Sequence, residues 1–453
     1  MTRNPSFASH ARALLGLGLP LVGSHLAQMG LHVADLVMMG WYGVVPLAAT
    51  VIGAASFFVI FVMGAGFAQA VMPMVAAALA EGDEAQVRRD TRMGLWLSIG
   101  FGLAVYPLFW WSGPVLAALG QKPEVAALAQ DFLRVAGLGM IPALMVMALK
   151  SYLAALKRTQ VVLWVTLAAV LVNIALNWVF IFGNLGAPEL GVTGAALSSL
   201  SVQVATFGAL AVYAGWLPDL RRFRLWHNFA RPDVAALKGV FRLGWPIGIT
   251  GLAESGMFHG SALMMGWIGT RELAAHGIAM EVVSLTFMVH LGLSNAVTVR
   301  TAQALGEGDF LALRRGAWVG IALSLGFGSA MVALFLAAPQ AVIGLFLDQS
   351  KPGAAEIIAY ATLLLAMAAL FQLADAMQVI ALGLLRGVKD TRVPMILAAL
   401  GYWGVGIPSG YGLAFGLGWG GVGLWSGLVL GLTFVASTLM WRFWRRLPQP
   451  GRA

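Results

Sequence analysis

The chain has 453 residues, of which 60% are hydrophobic and only 10% charged. Soluble domains carry about 25% charged residues, so most of this surface cannot face water. There is no cysteine, which excludes disulfide frameworks and thiol chemistry, and the formal net charge of +9 must be judged by where the charges fall.

A helix needs roughly 20 mostly apolar residues to cross the hydrocarbon layer. The segment from Met1 to His10 is polar, and the apolar run after it is too long for a signal-peptide core. That run also contains Asp35 and lacks a small-residue cleavage site, so it reads as a retained first helix. Apolar runs predict spans at about 13–39, 47–79, 93–112, 125–149, 161–183 and 190–216, then at 240–268, 273–304, 316–338, 356–385, 393–416 and 420–441. The fold class is therefore an all-α integral membrane protein of twelve transmembrane helices. Several runs exceed one bilayer thickness, which predicts tilt or kinks.

Nearly all of the 28 Lys and Arg residues then fall on one side, in clusters such as Arg88, Arg89 and Arg92, the segment 217–239, and Arg442, Arg445 and Arg446. The other side holds only Lys122, Arg271 and Lys351, and Arg134 lies within a span beside Asp131. Basic loops stay in the cytoplasm, so both termini are expected there. The positive charge reports topology and contact with anionic lipid rather than nucleic acid.

The chain repeats itself. Glu81-Gly82-Asp83 followed by Arg88-Arg89 returns 226 positions later as Glu307-Gly308-Asp309 followed by Arg314-Arg315. Leu17-Gly18-Leu19-Pro20 returns as Leu243-Gly244-Trp245-Pro246 at the same separation, and Gly191 to Gly194 answers Gly418 to Gly421. Each half holds six spans, an even number, so the repeat is parallel, related by an axis along the membrane normal. The expected organisation is a six-span lobe over 1–216, a basic cytoplasmic linker over 217–239 and a second six-span lobe over 240–453. Most of the 56 glycines sit within apolar spans and suit close helix packing.

An ionisable group in hydrocarbon costs roughly 2.5–3.5 kcal/mol on insertion scales, so the few inside spans need a reason. Gln372, Asp375 and Gln378 share one helical face. This strip is either a hydrogen-bonded structural element or a site where Asp375 takes up a cation or proton, since a carboxyl in low dielectric favours its neutral form. Glu254 follows Pro246 and Gly251, with Ser255 and His259 close by. Asp35 has His32 and Gln28 upstream, and Asn173 and Asn177 lie four apart on one face. Amides often serve only as interhelical glue, but one carboxylate with two amides would make an oxygen-rich pocket for a hard cation such as Na⁺ if those spans meet. Glu281, Gln372, Gln378 and His259 form a further polar set. His25, His276 and His290 read as packed, hydrogen-bonded residues. No His pair stands with Asp or Glu at metal-site spacing, so no transition metal is expected. No phosphate-binding G-x-x-x-x-G-K-[ST] loop occurs, so energy must come from an ion gradient or from the substrate's own.

The order and spacing of several segments resemble the multidrug and toxic compound extrusion (MATE) family, in its NorM-like bacterial branch. They are Ala34-Asp35 with Met39-Gly40, Gln69 to Pro73, Glu81-Gly82-Asp83, Val172 to Trp178, Gly191 to Ala196, Pro246 to Glu254, and Asp375 to Asp390. The resemblance implies a V-shaped pair of six-helix lobes and a secondary active antiporter that exports cationic or amphipathic drugs in exchange for Na⁺ or H⁺ by alternating access. It implies no enzymatic activity and no cofactor beyond the coupling ion. It places Asp35, Asn173 and Asn177 at a polar site of the first lobe, and Glu254 and Asp375 at one of the second. The implied partners are small-molecule drugs or organic cations, the coupling cation and the lipid bilayer, with the chain a monomer in the bacterial inner membrane. Two departures stand out: a tyrosine common one turn before the second-lobe aspartate is Phe371 here, and Glu281 stands where many relatives carry an amide. A major-facilitator transporter would show G-x-x-x-D-R-x-G-R-R between spans 2 and 3, where this chain reads Glu81 to Arg89. A lipid-linked precursor flippase would carry extra helices and a more basic cavity, and a membrane-embedded transferase would need clustered aspartates such as D-D-x-x-D.

Overall fold

The structure, a computed structural model, describes residues 6–347 and 353–447. The chain ends and Lys351, used above to orient the spans, lie outside these residues. In hydrocarbon every backbone N–H and C=O must be satisfied internally, and long helices meet that demand here. They are α1 (Phe7–Tyr42), α2 (Val44–Glu81), α3 (Glu84–Trp110), the short α4 (Ser112–Ala118), α5 (Pro123–Leu138), α6 (Met140–Ala155), α7 (Thr159–Phe182) and α8 (Gly191–Trp216). A four-residue α9 (Pro218–Arg221) precedes α10 (Val234–Ile268), α11 (Thr270–Gly306), α12 (Phe310–Ala337), the short α13 (Pro339–Ile343) and α14 (Ala354–Gly387). Then come α15 (Arg392–Ala399), α16 (Ile407–Tyr411) and α17 (Gly420–Arg446).

Among the described residues ten helical segments are long and apolar enough to cross a membrane, the continuous run Arg392–Gly416 included. The pair α5 and α6, bent by 45° at Gly139, makes an eleventh. The 35-residue α10, which carries Glu254 and His259, falls outside that set; with it, the helical segments long enough to cross number twelve among the described residues. Two of the predicted spans differ in form. The span expected at 125–149 is this bent pair. The span expected at 393–416 is a regular helix only in part: it widens into π turns over Leu400–Gly406 and Gly412–Gly416 on either side of α16.

The repeat is visible in backbone detail. Gly82 (φ 77°) closes α2 in the left-handed region, and the Asp83 side chain accepts from Gln86 N at 2.8 Å to start α3. In the second half Gly308 (φ 70°) precedes Asp309, whose side chain accepts from Ala312 N at 2.8 Å to start α12. The Glu-Gly-Asp motif is thus a helix stop and start: glycine tolerates positive φ and Asp caps the exposed N–H groups that follow. A single extended glycine separates α1 from α2 at Gly43 (φ 165°, ψ 158°) and α10 from α11 at Gly269 (φ 171°, ψ 163°).

The chain packs as two compact units: Gly23–Gly248, and the described residues of Met1–Val22 with Ile249–Ala453. The boundary runs through α1 and α10. In the first unit the segment 217–239 is docked: Arg92 Nε donates to Leu225 O at 2.7 Å, Trp96 Nε1 donates to Phe229 O at 2.8 Å, and Phe223 and Leu225 are buried. Its core gathers Met39, Phe109, Phe132, Leu144 and Ile181. There α2 crosses the start of α10 so closely that a Cβ on Gly66 would strike the Gly248 backbone. In the second unit the start of α1 crosses α11 in the corresponding way: a Cβ on Gly292 would lie 2.6 Å from Val22 N. Glycines also seat the wide-turned segment on α17, where a Cβ on Gly427 would meet Gly410 backbone atoms and one on Gly431 would lie 2.8 Å from Gly406 Cα.

Candidate functional site

Each unit gathers polar side chains on otherwise apolar helices. In the first, α7 presents Asn173 and Asn177 one turn apart, both fully buried. Asn177 Nδ2 donates to Asp35 Oδ1 of α1 at 2.6 Å and to Asn173 Oδ1 at 3.2 Å. Ser199 of α8 donates to Asp35 Oδ2 at 3.3 Å. Three helices therefore meet at one carboxylate, which is partly exposed. Its hydrogen-bonding partners are neutral, and among the described residues it has no ion pair with Lys or Arg. Asn177 Oδ1 and Asn173 Nδ2 have no hydrogen-bond partner among the described residues. The carboxylate, the two amide oxygens and the hydroxyl make an oxygen-rich cluster of the kind a hard cation accepts.

In the second unit the polar strip of α14 divides. Gln372 accepts from Thr286 Oγ1 of α11 at 2.9 Å, and its Nε2 lies 2.7 Å from His290 Nε2. His290 Nδ1 lies 2.7 Å from Ser324 Oγ of α12. Gln372 is thus taken up in a closed network between helices. Gln378 turns the other way, and its Nε2 donates to Glu254 Oε1 of α10 at 2.8 Å. Asp375, between them, is 1% exposed, and neither of its carboxyl oxygens has a hydrogen-bond partner among the described residues. Glu254 lies within its electrostatic reach, and Arg386, near the end of α14, acts on Glu254. Buried polar atoms are nearly always hydrogen-bonded, so an enclosed acid without a partner is the outstanding feature of this unit.

The other residues of the polar set stand apart. Glu281, on α11, is partly exposed and makes no hydrogen bond or ion pair among the described residues. His259 is exposed, and its Nδ1 lies 2.7 Å from Ser255 O one turn earlier. Phe371 is fully buried against Phe258 and Trp425, at ring-centre separations of 6.0 and 5.7 Å. His276 accepts from Trp425 Nε1 at 3.1 Å, so it and His290 are packed, bonded residues. Arg134 pairs with Asp131 at 3.3 Å. Sequence reasoning missed Ser199, Thr286 and Ser324, since an isolated hydroxyl within an apolar span carries no spacing signal.

The MatE family model matches residues 20–179 and 246–412, once in each half. The probable multidrug resistance protein NorM of Rhizobium meliloti (strain 1021) is 45% identical over 442 residues, covering 98% of this chain and 95% of the relative. The protein of the same name from Agrobacterium fabrum (strain C58 / ATCC 33970) is 42% identical, with 97% and 94% covered. Among solved structures, the eukaryotic MATE transporter AtDTX14 aligns with a TM-score of 0.85 at 19% identity, covering 96% of each chain. An outward-facing multidrug resistance MATE family transporter of the MOP superfamily aligns with a TM-score of 0.84 at 22% identity, covering 97% of this chain and 96% of that one. At such identities the likeness of structure speaks for the twelve-helix, two-repeat fold alone. The family match in both halves, together with relatives alike along almost their whole length, makes the chain a member of the MatE family of membrane transporters, a family that is not enzymatic.

Proposed function

We propose that this protein is a secondary active multidrug efflux antiporter that exports cationic or amphipathic drugs in exchange for Na⁺ or H⁺ by alternating access. The observation that carries this reading is Asp375, enclosed among apolar helices with both oxygens unpartnered among the described residues and Glu254 nearby. The multidrug resistance names of the whole-length relatives support the substrate class. With both acids ionised, Arg386 offsets one charge and a single negative charge remains, so one monovalent cation suffices to neutralise the cluster. Leaving that charge uncompensated in low dielectric is costly, and taking up Na⁺ or H⁺ removes the cost and lets the surrounding helices repack. The cation drives the cycle only through its different affinity for the two conformations. Asp35, with Asn173, Asn177 and Ser199, forms a second cation-responsive cluster in the first unit. The protein works as a monomer in the bacterial inner membrane with both termini in the cytoplasm, as the basic residues of its loops indicate.

The test is ethidium or fluoroquinolone efflux from reconstituted vesicles under imposed Na⁺ or H⁺ gradients. Asp375→Asn and Glu254→Gln are expected to abolish gradient-driven efflux, and full efflux in both variants overturns the reading. Asp35→Asn in the same assay decides whether the first unit contributes.

A further inference from the structure

The start of α1 is fastened to its neighbours through a histidine. His10 is 1% exposed, and its Nδ1 lies 3.1 Å from Arg300 Nη2 of α11. A Cβ on Gly316 of α12 would lie 3.9 Å from the same Nδ1, so the ring is seated between two helices. Beside Gly316, Arg315 places its guanidinium 5.9 Å from the centre of the Phe7 ring of α1. A guanidinium can only donate, so Nδ1 accepts from Arg300 and Nε2 carries the hydrogen of the ring. That Nε2 has no hydrogen-bond partner among the described residues. A second proton must therefore enter at Nδ1, the atom that faces Arg300. It would break the bond and set two cations against each other in an enclosed place, which is costly. The charged groups acting on the ring from the packed elements are Arg300, Arg315 and Asp309, and Glu307 acts on Arg300. Asp309 is engaged as the cap of α12, and Arg12, on α1 itself, is exposed.

We propose that His10 is a pH-sensitive latch that holds the start of α1 against α11 while neutral and releases it when protonated. Proton uptake favours the released helix start, where the imidazole regains its ordinary midpoint of about pH 6.5. The latch is thus closed near neutral pH and opens as the pH falls below that value. With both termini in the cytoplasm, the acid it reads is that of the cytoplasm. An antiporter that takes in H⁺ is then slowed by the acid it brings in, since α1 also carries Asp35. This consequence rests on the antiporter reading, whereas the latch itself does not.

The experiment uses the full chain, which has no cysteine. Leu14, one turn after His10, is 1% exposed, and its Cδ1 would lie 3.7 Å from a Cβ on Gly320 of α12. Leu14→Cys therefore supplies a thiol that reacts with maleimide when the start of α1 loosens. Labelling in detergent is read against the same chain unfolded at each pH, which cancels the ionisation of the thiol itself. Between about pH 7.5 and about pH 5.5 the relative labelling is expected to rise about tenfold, as uptake of one proton requires. His10→Asn and His10→Gln keep an acceptor for Arg300 and cannot titrate, so labelling is expected to stay flat in both. His10→Leu, without an acceptor, is expected to label fast at either pH. Flat labelling with His10 in place, or the same rise in a variant that still binds ethidium by fluorescence polarisation, overturns the latch. In vesicles, gradient-driven ethidium efflux of the parent relative to His10→Asn is expected to fall about tenfold over the same acidification of the cytoplasmic face. Identical pH profiles overturn the control of transport by His10. Absence of gradient-driven efflux in the parent overturns the antiporter reading instead, and the labelling then decides the latch.

Discussion

Gln378 donates to Glu254 at 2.8 Å, while Asp375, one turn earlier on the same helix, has no side-chain hydrogen-bond partner among the described residues. One carboxyl is held by a neutral amide, and the other is left to whatever enters. Gln378→Leu removes the donor and leaves Glu254 poorly solvated, at a cost of about 1.5–3 kcal/mol when that acid is ionised. Gradient-driven efflux is expected to weaken by at least tenfold, measured in the vesicle assay, whereas Gln372→Leu is expected to lower the melting temperature more than it alters cation dependence.

Asn177 is the hub of the first cluster, bonded to both Asp35 and Asn173. Asn177→Ala is therefore expected to impair cation-driven efflux more than Asn173→Ala. A double-mutant cycle of Asn177→Ala with Asp35→Asn is expected to show non-additivity of about 0.5–3 kcal/mol, as for directly contacting residues. Additive effects would mean that the two side chains do not act together.

Gly427 faces the Gly410 backbone with no room for a methyl group. Gly427→Ala is expected to destabilise by about 1–3 kcal/mol, the usual cost of overpacking, seen as a lower melting temperature in detergent. Gly404→Ala, in the neighbouring π turn but with nothing within 4 Å of an added Cβ, is expected to leave the melting temperature near that of the parent.

The segment 217–239 is held to α3 by donors to its main-chain carbonyls. Arg92→Met removes two of these bonds, to Leu225 O and Arg224 O. Limited trypsin digestion is expected to cut this segment several times faster in the variant, at Arg221, Arg222 or Arg224. An unchanged rate would mean that Trp96 and the buried Phe223 suffice.

The twelve spans were legible because lipid imposes one rule on all of them, and the carboxyls were legible because acids are rare in spans. Their partners were not. Ser198 and Ser201 bond back to Gly194 O and Leu197 O within their own helix, whereas Ser199 reaches across to Asp35. A serine can satisfy itself on the carbonyl four residues earlier, so composition does not tell the two uses apart. The strip of α14 was visible, but which of its members lacked a partner depends on where Thr286 and His290 stand on α11. The π turns were hidden for a similar reason. The glycines of 401–416 indicate close helix packing in sequence, while the widened turn is seen only once α17 is packed against them.

The Gly-Asp turns at 82–83 and 308–309, each with a capping bond of 2.8 Å, are two copies of one joint within a single polypeptide. The same lesion can be made at Asp83, at Asp309 or at both, with each copy serving as the control for the other. Removing such a cap costs about 1 kcal/mol. If the two lesions lower the melting temperature equally but slow transport unequally, the duplicated halves keep a common architecture while dividing the labour between them.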